Sequence, residues 1–406
     1  MKKFYGHLPG WAQRLLPAVG IHVMSFGIAS GQSDATIPYS PIGPLHIDSG
    51  TAWVARIFDS KINSRIQIVG LGEVSHGGFE PAALKVKMIQ YLVEKKGYRN
   101  ILFELPDFNC MPIRNYLTDR RIKTLSIIDS LVKPLRVPPI AASVLSALFR
   151  WLKLYNLCHP GYMVQIGGFD IPDSHEVFCN YFLYNYIFRH NIDSAQIMVN
   201  KWISSLATDS MKLRDIFAWF NDHKNVLAAS LGKKAFDQLH FHISNQVNGL
   251  QDLFRDIRYR DSIMARNVQY LAAGNKTVLW AHNVHLYKGS SYMGLDLYHH
   301  YQSGYFVLLT DYSKEAAVTV VNTVDRYYYI RSFQPIASST PLLILNMFGI
   351  ASGIFFHDEV ASRLMADRIN AIPSYGEQFL IGSKNAYDAL VIFDTITSTL
   401  QPGYKK

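Results

Sequence analysis

Apolar residues in this chain fall into short runs that end in a carboxylate or an imidazole, separated by longer stretches with helical period. Ile66, Ile68 and Val69 lead into a turn at Gly70 and Gly72, with Glu73 and His76 just beyond. After Glu80 and Pro81, residues Leu84, Met88 and Leu92 recur every four positions, which predicts a helix stopped at Gly97. Residues 100–104 form a second short apolar run, closed by Glu104. Strand, helix and strand in this order make a right-handed βαβ unit with parallel strands, so Glu73, His76 and Glu104 share one sheet edge.

The pattern recurs. Residues 162–168 are followed by Asp170, 277–280 by His282 and His285, 305–309 by Asp311, and 389–393 by Asp394. Open α/β sheets bind ligands at the carboxyl ends of their strands, so these side chains are expected in one cleft. Between the strands the periodicity is helical: within 45–62, over 141–157, over 260–273 with Met264, Val268 and Leu271 inward and Gly274-Asn275 as the stop, and near 361–369. Residues 316–321 read as a separate short β-run, and 175–258 as a helical insertion. The expected fold is α/β: a parallel-rich β-sheet core flanked by helices, with that insertion forming a lid over the carboxyl edge of the sheet.

Composition adds limits. With 49% hydrophobic and 17% charged residues among 406, the chain is an ordered globular protein. The net charge of +9 is scattered rather than clustered, which argues against nucleic acid as a partner. Lys2, Lys3 and Arg14 precede an apolar run over 15–28 and the small residues Ala29-Ser30-Gly31. Residues 1–31 therefore read as an export signal with a run too short to span a bilayer, so no stable membrane span is expected. Its removal takes the charge from +9 to +6, since it carries three Lys/Arg and no Asp/Glu. The expected location is exported, in the periplasm; a packed N-terminal arm on a cytoplasmic protein is the alternative. Residues 32–44, with three Pro and three Ser/Thr, read as a linker, leaving 45–402 as the catalytic domain. Cys110, Cys158 and Cys179 are too few and too far apart for a zinc motif; one bridge or three thiols are both compatible with them.

Three stretches carry the candidate chemistry: Gly72-Glu73-Val74-Ser75-His76, the run ending in Glu104, and Trp280-Ala281-His282-Asn283-Val284-His285. With Gly168-Phe169-Asp170, Arg260-Asp261-Ser262-Ile263-Met264, Met293-Gly294 and Tyr387-Asp388-Ala389-Leu390, their order resembles the erythromycin esterase family, the macrolide-lactone hydrolases and their relatives. The resemblance implies an α/β core with a helical subdomain. It also implies hydrolysis of a macrolide lactone by water without an acyl-enzyme, and hence antibiotic resistance. It maps the general base onto His76, the glutamate three residues before it onto Glu73, the acid of the second strand onto Glu104, and the late histidines onto His282 and His285.

The residue types fit that chemistry. Imidazole is the side chain whose ordinary pKa suits taking a proton from water near neutrality, and a carboxylate beside it holds the tautomer. His285 or Arg260 can donate to the developing oxyanion. Catalytic roles are thus expected for His76, Glu73, His285 and Glu104, and substrate contacts for His282, Arg260, Asp170 and Asp107, the two aspartates suiting an aminosugar cation. Each has a structural alternative: Glu73 as a helix cap, His282 as a core histidine, Asp170 as cap of a helix near Ser174, and Arg260 with Asp261 as an ion pair. A serine nucleophile fits poorly, because no Gly-x-Ser-x-Gly elbow is present and Ser75 adjoins His76. No cofactor is required, but Glu73, His76, Glu104 and His285 are also a ligand set for a divalent metal. Two alternatives follow: a related hydrolase acting on another ester or amide with such a metal, and a haem- or metal-binding protein of the same fold.

Overall fold

The computed structural model describes residues 37–135, 139–172, 175–250, 257–289, 292–321, 328–335, 340–360, 371–374, 377–380 and 386–398. The export signal over 1–31 and the helix expected near 361–369 lie outside them.

The strands are β1 (Ile68–Glu73), β2 (Asn100–Pro106), β3 (Gln165–Asp170), β4 (Thr277–His282), β5 (Tyr305–Val321), β6 (Tyr328–Phe333), β7 (Gly353–Phe356), β8 (Ala371–Ser374), β9 (Glu377–Leu380) and β10 (Ala389–Ile396). The main sheet runs β3-β2-β4-β1-β5-β10-β7, with β6 paired to β5, while β8 and β9 form a separate ribbon. Strands β3, β2, β4, β1, β5 and β10 are mutually parallel; β7 and β6 are antiparallel additions. The parallel-rich α/β expectation holds, and the strand order explains the site. Neighbouring β3, β2, β4 and β1 are the strands that end in Asp170, Glu104, His282 and Glu73.

Both faces of the sheet are covered. On one, Val69, Leu71, Phe103, Val278, Trp280 and Leu308 pack under the helices Phe79–Lys96 and Pro139–Cys158. On the other, Ile68, Leu102, Leu279, Val307 and Leu309 meet the helices Ile257–Ala272 and Met293–Tyr301. Apolar residues on both faces are what a doubly covered parallel strand requires, hence the near-continuous apolar runs. Met264 and Val268 are fully buried as expected, and Gly274 ends its helix with φ of +78°.

Some boundaries move. Gly70 and Gly72 are not a turn; they lie inside β1, which continues to Glu73. A side chain at Gly72 would collide with Asn283 and Leu309, so these glycines allow close packing within a strand. Residues 316–321 are not a separate strand but the continuation of β5, held in register by the hairpin with β6. The first helix is confined to Ala52–Phe58. Ser40 pairs with Ile354 of β7, and Tyr39 stacks on Phe355.

The helices Glu176–Phe182, Ile192–Ser204, Asp209–Asp222, Lys224–Leu231 and Lys233–Asn248 surround their own apolar core of Phe178, Phe182, Trp219, Phe220 and Ile243. Phe108, at the carboxyl end of β2, inserts into this core and joins the segment to the sheet. Cys110, Cys158 and Cys179 are free thiols, Cys158 exposed and the others buried. Among the described residues no helix is long and apolar enough to cross a membrane.

Where β3 leaves β2 the register shifts, and a Cβ at Gly168 would meet the backbone of Leu105 and Pro106. Gly168→Ala is therefore expected to cost about 1–3 kcal/mol of stability. It should appear as a lower urea midpoint at unchanged m-value.

Candidate active site

Strand parity decides which partners reach the site. Along β1, Val69 and Leu71 face the helix Phe79–Lys96, so Glu73, two residues on, faces it too. There Lys85 donates to Glu73 Oε2 at 2.8 Å and to the Ala281 carbonyl at 3.1 Å. Along β2, Leu102 faces the opposite layer, and Glu104 follows it towards the helix Ile257–Ala272. There Arg260 approaches Glu104 Oε1 at 3.5 Å.

Between these two carboxylates lies His76. Its Nδ1 is 2.5 Å from Glu73 Oε1, and its Nε2 is 3.9 Å from Glu104 Oε1. His285, on the short helix Asn283–Leu286 after β4, places Nε2 3.3 Å from Glu104 Oε1 and Nδ1 2.8 Å from Asp261 Oδ1. The Met293 backbone N–H donates to the same Asp261 oxygen at 2.9 Å. Arg260 holds Asp170 through Nε and Nη2 at 3.0 and 2.5 Å, while Glu104 Oε2 accepts from the His282 backbone N–H at 2.8 Å. The result is a continuous network from Lys85 through Glu73, His76, Glu104 and His285 to Asp261.

Burial sets its electrostatics. Desolvation alone would raise the pKa of Glu73, but Lys85 and His76 overcome it and hold that carboxyl down to about 2. Glu104 is likewise pulled well below the usual carboxylate range, against its burial, by His285, His76 and Arg260. Burial would lower His285, yet Glu104 and Asp261 push it up to about 10, so it is an imidazolium at neutral pH. His76 is raised too, with burial and Lys85 overcome by Glu73 and Glu104. His282 is driven down to about 3, chiefly by burial and then by His76. It stays neutral, with Nε2 donating to the Val74 carbonyl at 2.9 Å and Nδ1 accepting from the Val284 N–H.

Exposure separates these roles. The His76 side chain is 37% exposed, against 8% for Glu73, 10% for Glu104, 7% for His285 and 0% for Lys85. His76 is thus where the network meets water: an imidazole with a fixed tautomer beside a buried imidazolium and a guanidinium. Such an arrangement can take a proton from water and stabilise negative charge on an acyl oxygen.

Of the residues expected from sequence, Glu73, His76, Glu104, His285, Arg260 and Asp170 come together. His282 lies beside them with its ring 5.4 Å from that of His76, in a core-like setting. Asp107 stands apart: it is 4% exposed, accepts from Arg114 and the Gly168 N–H, and faces His242. The expected Arg260–Asp261 pair does not form, because Arg260 turns to Asp170 and Asp261 to His285. Asp170 accepts from the Ile171 N–H besides Arg260 rather than capping a later helix. One member of the network, Lys85 in the apolar stretch from Pro81 to Val93, was not singled out from sequence, and Asp261 was named only as an ion-pair partner of Arg260.

The donor set does not fit a divalent cation. Lys85 and Arg260 already neutralise Glu73 and Glu104, and both ring nitrogens of His285 face carboxylates. Among the described residues, no group of three or more His, Cys, Asp or Glu side chains is arranged to hold a metal ion.

The family model described as Erythromycin esterase matches residues 93–326, which include Glu104, Asp170, Arg260, Asp261, His282 and His285. Three solved structures share the fold. A Bacillus cereus protein is 17% identical, with 89% of this chain and 95% of that one covered and a TM-score of 0.66. A succinoglycan biosynthesis protein is 16% identical, with 89% and 95% covered and a TM-score of 0.68. A histidine-to-asparagine mutant of the erythromycin esterase EreC, in its open conformation, is 17% identical, with 90% and 98% covered and a TM-score of 0.66. No curated protein sequence matches the chain.

Proposed function

Because the chain belongs to the erythromycin esterase family, a family of hydrolases, we propose that it opens the lactone ester of a macrolide by attack of water, with His76 as general base. The observation that carries this reading is the partly exposed imidazole of His76, hydrogen-bonded through Nδ1 to a buried carboxylate that Lys85 keeps ionised.

In the proposed reaction Glu73 fixes the tautomer with Nδ1 protonated, leaving Nε2 to take a proton from water as the water attacks the acyl carbon. Arg260 and the His285 imidazolium, both tied to Glu104, face the oxygen that becomes negative. The proton then passes to the departing alkoxide, so water is added across the ester and no acyl-enzyme is formed. Helices over residues 176–248 serve as the wall that selects the substrate, and Asp170 holds Arg260 in place beside Glu104. On this reading the protein confers resistance to macrolides, acting as an exported enzyme.

The test is mass spectrometry of erythromycin incubated with the protein. The drug is expected to gain the mass of one water, with and without a chelator. An intact drug in the presence of folded protein would move the substrate to another ester. The rate is also expected to follow the state of His76. Its pKa is raised above the ordinary 6.5 by Glu73 and Glu104, so the active neutral form accumulates only as pH rises through that higher value. kcat/KM should therefore climb with pH along a limb centred above 6.5; a rate independent of pH between 6 and 9 would contradict the assignment.

A further inference from the structure

A cavity lies at the other edge of the sheet. It is lined by Tyr305 and Phe306, which begin β5, by Phe356, which ends the antiparallel β7, and by Asp388, just before β10. These residues mark the amino edge of the parallel strands, whereas Glu73, Glu104 and His282 end theirs. At about 620 Å³ it is of the size that holds small organic ligands.

The charged groups in its walls are paired. Lys288, 8% exposed, pairs with Asp388 Oδ2 at 2.6 Å, and Val307 N–H donates to the same oxygen. Lys61 pairs with Asp358 at 3.2 Å and Glu359 at 2.9 Å. Among the described residues that line it, no ammonium is left unpaired to attract an anion. An organic cation fares no better, because the protein's own ammonium groups already sit over the ring faces. Lys61 Nζ is 4.5 Å from the Phe356 centroid, and Lys288 Nζ is 5.4 Å from that of Tyr298 and 5.9 Å from that of Tyr305.

What remains complementary is an uncharged ligand rich in hydroxyls. Each hydroxyl both donates and accepts, which suits a carboxylate held beside an ammonium and the exposed side chains of Gln302 and Ser303 in the cavity lining. His357 adds a neutral imidazole, its pKa lowered by burial, with its ring 5.1 Å from that of Tyr387. At the rim Gln302 holds φ of +50°, a strained backbone for a residue with a side chain, and strain of this kind concentrates at ligand sites. We propose that this amino-edge cavity binds a neutral carbohydrate of one or two rings, at a site separate from the hydrolytic centre.

Saturation-transfer NMR with methyl α-D-glucoside and maltose at millimolar concentration tests it on the full chain. Saturation is expected to reach at least one sugar, and Tyr298→Ala and Gln302→Ala are each expected to weaken the apparent affinity about fivefold, the worth of one hydrogen bond. His76→Ala should leave the affinity unchanged. Circular dichroism checks that each variant is folded, and lactone hydrolysis, read separately, should persist in both cavity variants. No transfer to either sugar in folded wild type overturns the proposal. So does transfer that survives both cavity variants, because the sugar then sits elsewhere, in the hydrolytic cleft if it also disappears in His76→Ala. Binding of succinate or choline, displaced by Tyr298→Ala, with no sugar bound would also overturn it by assigning the cavity to a charged ligand.

Discussion

Replacing His76 with alanine is expected to lower kcat for lactone opening by about 10²–10⁴-fold, the range that a positioned general base contributes. The size follows from its place in the network. Among Glu73, Lys85, His76, Glu104 and His285, only the His76 side chain is more than one-third exposed, at 37%. His285 cannot substitute. Held near pKa 10 by Glu104 and Asp261, it has no free base form to offer at neutral pH. His282 is neutral but gives Nε2 to the Val74 carbonyl and Nδ1 to the Val284 N–H. KM should change little, because Arg260, Asp170 and the surrounding helices are untouched. Single-turnover hydrolysis followed by mass spectrometry separates the two parameters. A variant that is folded and still turns over within a factor of about 3 would show that the base lies elsewhere, since removal of a general base is not so mild.

Why Glu73, His76, Glu104 and His285 were readable from the chain, and Lys85 and the place of Asp261 beside His285 were not, comes down to range. The first four lie at the ends of strands or just past them, and parallel pairing sends all such ends to one edge whatever the details of packing. Pairing of Glu73 with His282, and of Phe103 with Trp280, then brings them within reach of each other. Which helical residues meet that edge depends on how each helix docks on the sheet, and four-residue periodicity does not reveal it. Leu84, Met88 and Leu92 marked a buried stripe, but Lys85 is buried beside them, its ammonium over the Trp280 ring. Burial of thirteen consecutive residues from Pro81 to Val93 leaves that helix with no solvent face there, so each lysine within it needs internal acceptors: Lys87 finds the Ile47 and Ser49 carbonyls and Gln90, whereas Lys85 finds a carboxylate, Glu73. Asp107 illustrates the reverse error. It follows a strand end as Glu104 does, but it opens the helix Asp107–Thr118, whose Arg114 draws its carboxylate inward.

The second large effect follows from that buried lysine. Lys85→Met keeps most of the volume of the side chain and removes its charge, leaving Glu73 8% exposed with His76 as its remaining charged hydrogen-bond partner among the contacts described. Removing one member of a buried ion pair costs about 3–5 kcal/mol, so a clear fall in the urea midpoint is expected. Catalysis should respond with a definite sign. Lys85 lowers the pKa of His76, against the raising effect of Glu73 and Glu104, so its loss lets that pKa rise further. The alkaline-rising limb of kcat/KM should then move to higher pH, and activity at neutral pH should fall even in folded enzyme. At high pH, where His76 is deprotonated in both proteins, the rates should converge. A purely structural role for Lys85 would lower stability while leaving the midpoint of that limb where wild type has it. The pH profile of the variant therefore separates a lysine that tunes the base from one that only fills the core.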